Sequence, residues 1–145
     1  MKLPFITLIA AMSIAACSEP VDFQKSKIES SMITSAKAQL NAMQQAFIES
    51  QMPLANLPGM FPNEEEKLQH IENIKQSAEM MNIQDLSILV VSYDCSPDND
   101  SIIKTCEVSW KQGGKVMGIY SSKDVVKALE FEVNDGNWVL LTDIL

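Results

Sequence analysis

The spacing of apolar residues changes period once along this chain of 145 residues, and that change limits the possible folds more than any other feature. From Ser26 the apolar side chains recur every three or four residues, whereas from Leu86 onwards they alternate with polar ones. A spacing near 3.6 belongs to a helix with one buried face, and a spacing of two to a strand with one buried face. Helices followed by strands, rather than alternating with them, predict an α+β layer fold. The expected arrangement is two N-terminal amphipathic helices packed on one face of a curved antiparallel meander of about five strands.

The first helix carries Ile28, Met32, Ala36, Leu40, Met43 and Phe47 on one stripe and is expected to end before Pro53. Ser26 with Glu29 fits a capping box, and Asp22 offers a start one turn earlier. Residues 53 to 62 hold three prolines and a glycine and read as a loop, yet Leu54, Leu57, Met60 and Phe61 make that loop apolar. It is either a flap packed on the end of the core or the lip of a binding site, with Leu57, Met60 and Phe61 as the binding residues. Asn63 and the run Glu64-Glu65-Glu66 then cap and charge a second helix with the stripe Leu68, Ile71, Ile74, Ala78 and Met81. His70, the one histidine, lies between stripe positions and reads as a boundary residue rather than a general base.

The N-terminus has the layout of a signal peptide. Lys2 precedes an apolar run from Leu3 to Ala16, too short for the roughly 20 residues of a spanning helix, and Ala15-Ala16 supply small residues before Cys17. Ile14-Ala15-Ala16-Cys17 resembles the bacterial lipobox. That resemblance implies cleavage before Cys17, acylation of Cys17 with chains such as palmitate, and a mature protein made of a tether (17–25) and one α+β domain (26–145) behind a signal peptide (1–16). It also implies a bacterial cell-envelope location, and Ser18 in place of a retention aspartate implies the outer membrane, facing the periplasm. Several acyl chains at roughly 0.8 kcal/mol per buried methylene make such an anchor nearly permanent.

Export leaves Cys95 and Cys106 as an even pair in a compartment where disulfides persist, and a structural disulfide is expected over two free thiols. If the pair joins an antiparallel hairpin, Tyr93 faces Val108 and Val91 faces Trp110 on the apolar side. Gly113-Gly114 is a two-residue hairpin candidate that sets Trp110 against Met117 and Val108 against Ile119. Asp135-Gly136 is another, setting Val133 against Trp138, Phe131 against Leu140 and Leu129 against Thr142. Ser121-Ser122-Lys123-Asp124 is then expected as a longer or bulged link. The opposite face carries Thr105, Glu107, Lys111, Glu130 and Glu132, with Val90, Val116, Tyr120, Val139 and Leu141 among them, and is expected to meet water.

Charge narrows the partners. The chain has no arginine, and its eleven lysines face nineteen acids for a net charge of −8. Nucleic acid is excluded as a partner, since phosphate contacts need basic side chains. The same deficit predicts that membrane contact comes from the acyl chains rather than the folded body. Asp94, Asp98, Asp100 and Ser101 group around one turn but lack the glycine and distal glutamate of an EF-hand, so no metal or cofactor is expected.

Two helices ahead of a meander that ends in Phe131-Glu132-Val133-Asn134-Asp135-Gly136-Asn137-Trp138 resemble the cystatin-like or nuclear-transport-factor-like fold of many small bacterial lipoproteins. Members of that fold include enzymes with a carboxylate or histidine deep in a cone between helices and sheet, and binding modules without catalysis. On the expected inward face stand Tyr93, Val108, Trp110, Met117, Ile119, Leu129, Phe131, Trp138 and Leu140, none of them an acid or a histidine. The expected function is therefore a lipid-anchored, non-enzymatic binding or accessory protein of the envelope. Its partner would be an envelope protein or a small apolar ligand, met through Leu57, Met60 and Phe61 or through the outer face at Tyr120. The alternatives are an inhibitor or immunity protein against a periplasmic enzyme and a small enzyme using the cone.

Overall fold

The computed structural model describes residues 22–97 and 101–145, so the expected signal peptide, Cys17, Asp98 and Asp100 lie outside the described residues. Helix α1 spans Phe23–Ala55 and α2 spans Glu64–Met80. Four strands follow: β1 Gln84–Cys95, β2 Ile103–Val116, β3 Ile119–Asn134 and β4 Asn137–Leu140. They form one antiparallel sheet in the order β1-β2-β3-β4. The α+β class and the order of helices before strands are as the change of period predicts.

The helix ends differ from expectation for local reasons. Asp22 rather than Ser26 is the N-cap, its carboxylate accepting the Lys25 N–H at 3.0 Å, so Phe23 to Lys25 are helical rather than tether. Pro53 does not stop α1, which runs on to Ala55. A proline costs least near a helix end, and burial of Ala55 supports this last turn, closed by the Asn56 N–H donating to the Pro53 carbonyl. At α2 the expected cap is present: Asn63 accepts the Glu66 N–H at 2.9 Å, and the three glutamates sit at the positive end of the helix dipole.

The sheet has four strands rather than five because the second hairpin turns later than the glycine pair. Gly113 and Gly114 lie inside β2, and the turn falls at Met117-Gly118, so 121–124 continue β3 instead of linking two strands. A Cβ on Gly113 would stand 2.5 Å from the Tyr120 hydroxyl oxygen, and one on Gly114 would run into Ile83. Close approach, not a turn, is what requires glycine there. Consequently Trp110 faces Val125 and Val108 faces Lys127, while Met117 and Ile119, expected inside, are exposed.

Register in the first hairpin starts as expected, with Cys95 opposite Cys106 and Tyr93 opposite Val108. An irregularity between Val90 and Ser92 then sets Val90, not Val91, against Trp110. Val90 becomes fully buried and Val91 is 53% exposed, reversing the expected faces, as one extra residue in a strand must. At the last hairpin, Val133 faces Trp138 and Phe131 faces Leu140, as the Asp135-Gly136 turn predicts. Beyond Leu140 the ladder stops, and Thr142 accepts the Glu130 N–H through its hydroxyl at 2.9 Å rather than facing Leu129.

The core lies between the N-terminal half of α1 and the inner face of the sheet. Ile28, Met32 and Ala36 meet Val90, Cys106, Val108, Trp110, Leu129 and Phe131, and Ile144 closes one side. The stripe of α1 is buried only as far as Leu40; Met43 beyond it is exposed. The second half of α1 passes the end of the sheet and packs against α2, and α2 packs on α1 rather than on the sheet, contrary to the expected two-helix layer. At 1.5 Å per residue α1 is about 50 Å long, so roughly half its length forms an arm with α2.

Cys95 and Cys106 are joined as a disulfide with a sequence separation of 11, at the end of the sheet near the start of α1. Peptide mapping without reductant is expected to recover them as one linked pair. Reduction is expected to lower unfolding stability by roughly 3 kcal/mol in a denaturant titration, the value for closing a loop of this order.

Candidate functional site

The inward face expected to line a cone is filled with packed side chains. Trp110, Phe131 and Leu129 are among the largest fully buried residues, with Phe131 edge-on to Trp138 at 5.5 Å between ring centroids. Gln112 is the buried polar residue of the sheet, and its carbonyl accepts the Trp110 indole N–H at 3.5 Å. The surfaces left for contact lie outside this core.

One is a groove of about 600 Å³ between the first half of α1 and the last hairpin. Ser26, Ser30, Thr34 and Ser35 form its helical wall, Trp138 and Val139 the opposite wall, with Phe23 and Lys27 beside them. Sequence reasoning did not single it out, because Ser30, Thr34 and Ser35 fall between the apolar stripe positions of α1. Its chemistry is hydroxyl and apolar with one cation.

The first helix covers the β1 edge of the sheet. On the β1 edge the Val90 N–H donates to the Glu29 carboxylate of α1 at 2.9 Å, and Gln24 approaches the Cys95 sulfur at 3.8 Å. Glu29, expected in a capping box, is thus an edge cap. Farther along α1, Gln39 accepts the N–H groups of Ile144 and Leu145 at 3.2 and 3.1 Å, fastening the C-terminal segment.

The apolar segment 53–62, which spans the last residues of α1 and the loop after it, is neither a plug nor wholly free. Ala55 is buried and Phe61 stacks on His70 at 5.0 Å, which gives the lone histidine a packing role, while Leu57 and Met60 are each 51% exposed. With Leu54 and Leu68 also exposed, the end of the arm presents four large apolar side chains. Tyr120, the fourth candidate, lies exposed on the outer face over Gly113, well separated in the fold from the arm residues. Val139, Val126, Leu89 and Val91 are exposed on that outer face too, so it is half apolar as well as wet. Among the described residues no group of three or more acids, cysteines or histidines could hold a metal ion, and no helix is long and apolar enough to cross a membrane.

Asp22 joins the helix start to the sheet. Its carboxylate takes the Tyr93 hydroxyl at 3.1 Å as well as the Lys25 N–H. The Lys25 N–H holds the Asp22 carboxyl below its ordinary 3.8, with the Tyr93 hydroxyl adding to the effect. Partial burial pushes the Tyr93 phenol up from its ordinary 10.0, and the neighbouring carboxylate adds to it. Comparison with family models, curated proteins and solved structures finds no match for this chain.

Two outcomes are expected from these contacts. Glu29→Ala leaves the Val90 N–H of an edge strand without its partner and should cost about 1–3 kcal/mol in a denaturant titration, with faster amide exchange at Val90. Because the Asp22 value is depressed in the fold, its contribution is present above 3.8 and lost as pH falls through the lowered value. The melting-temperature gap between wild type and Asp22→Asn, which keeps an N-cap oxygen without the charge, should therefore close on acidification.

Proposed function

We propose that this protein is a lipid-anchored, non-enzymatic binding or accessory module of the bacterial cell envelope, fastened through Cys17 and contacting an envelope protein through the end of its helical arm. The observation that carries this reading is that Leu54, Leu57, Met60 and Leu68, all near the junction of α1 and α2 where the arm stands clear of the sheet, are each exposed. Large apolar side chains clustered at a protruding end are typical of contact sites. The arm also carries Glu49, Glu64, Glu65, Glu66, Glu72 and Glu79 against Lys67 and Lys75, which favours a partner with a cationic rim. An inhibitor of a cationic periplasmic enzyme is the second reading that the same acidity supports. Its binding would weaken steeply with salt, whereas apolar docking would persist.

The anchor is tested by metabolic labelling with an alkyne fatty acid: wild type should be marked and Cys17→Ser should not. An unmarked wild type would remove the anchor. For the arm, Leu57 and Met60 are half exposed, so changing both to Ser should shift stability by no more than about 1 kcal/mol. In-cell crosslinking from the arm should then lose its partner band while the fold melts as wild type. An undiminished band would move the contact elsewhere.

A further inference from the structure

We propose that the tip of the β2–β3 hairpin, Val116 to Tyr120, is a second membrane-contact point, seated in the interfacial region of the bilayer that carries the anchor, in place of the expectation from overall charge that the folded body stays off the lipid. This deepens the lipid-anchored reading and rests on it for the bilayer being at hand. Met117 and Ile119 are 76% and 73% exposed, and Val116 and Tyr120 flank them, also exposed.

Backbone conformation separates this tip from an ordinary turn. Its central residues, Met117 and Gly118, have φ of 52° and 79°, and those of the last hairpin, Asp135 and Gly136, have 49° and 79°. The left-handed first position suits Asn, Asp or Gly, and the last hairpin uses Asp there. The tip holds methionine in the same strained conformation, and its exposure returns no burial within the fold. Such a side chain gains its burial from something outside the molecule.

Charge indicates a lipid surface rather than the protein partner proposed for the arm. Residues 108–123 hold Lys111, Lys115 and Lys123 and no acid, in a chain where acids outnumber lysines nineteen to eleven. Two acids face these lysines: Asp85, 3.3 Å from the ammonium of Lys115 just behind the tip, and Asp124, opposite Lys111. Lys123 has neither as a cross-strand neighbour, since it lies opposite Gln112. A convex tip of aliphatic side chains with a tyrosine and flanking lysines matches the layered chemistry of acyl chain, interface and anionic headgroup. The tip stands beyond the Gln84 end of β1, and Asp22 is bonded to Tyr93 near the other end. At about 3.3 Å per residue the two attachment points are separated by the length of β1, so anchor and tip together would lay the domain lengthwise on the bilayer.

The test uses the full acylated chain with Met117→Cys, the one free thiol once Cys17 is acylated and Cys95 is bonded to Cys106, labelled with an environment-sensitive fluorophore. The probe membrane is vesicles of phosphatidylethanolamine with a minority of phosphatidylglycerol, with and without spin-labelled acyl chains. The label at 117 should shift to the blue and be quenched by the spin-labelled lipid, and a label at Glu72→Cys on α2 should do neither. With the label at Ile119→Cys, adding Met117→Asn should reduce quenching severalfold while melting at or above wild type, since Asn suits the left-handed position. Flotation reads the anchor and the label reads the tip. A chain that floats with a water-exposed label at 117 overturns the tip assignment alone; a chain that stays in solution unquenched overturns both.

Discussion

The hydrogen bond from the Val90 N–H to the Glu29 carboxylate ties the first helix across the edge of the sheet, and the rest of the architecture depends on that crossing. The irregularity at Val91 makes it possible, turning Val90 inward to meet Trp110 at the edge that α1 overlies. A charged acceptor on an edge-strand amide is a stronger bond than a neutral one, and it also removes a template for unwanted strand pairing. With Asp22 on Tyr93 at one end and Gln39 on the C-terminal segment farther along, α1 is held at three points on its way over the core.

Because α1 is longer than the sheet is deep, that seating divides the molecule. The half containing Ile28, Met32 and Ala36 is buried under many neighbours; the half beyond Leu40 has only α2 to pack on, with Ala55, Ile74 and Ala78 as its buried residues. Opening should be easier in the arm than in the sheet, since few apolar contacts hold it. Native-state amide exchange would thus rank the arm below β2 and β3.

The surface chemistry is polarised in the same sense. The arm is acidic with an apolar end, the β2–β3 hairpin, which leaves the sheet at the same Gln84 end of β1, is lysine-bearing with an apolar tip, and the outer face of the sheet is mixed. An anchored accessory module with its arm toward a protein and its hairpin tip toward lipid is the proposal these differences favour, and the two projections can be altered independently because they share no core residues.

Much of this was legible in the sequence. The period change near Leu86, the Asn63 cap, the Cys95–Cys106 pairing and the Asp135-Gly136 hairpin are all local patterns, set by chain geometry and by residues a few positions apart. Sequence also marked Leu57 and Met60 as part of an apolar loop, either a flap on the core or the lip of a site, and Tyr120 as part of the outer face, and it alone speaks for Cys17. Tertiary structure decided what local patterns leave degenerate. Gly113-Gly114 and Met117-Gly118 could both turn a hairpin, and the choice fell to the longer ladder, with Tyr120 and Ile83 needing the space above the glycines. Val90 and Val91 are equally apolar, so only the irregularity opposite Trp110 could say which one enters the core. Glu29 fits a cap by spacing, yet an edge amide 61 residues away claims it. Periodicity tells which side of an element is apolar; which partner covers that side, and where the cover ends, depends on contacts between residues far apart in the chain.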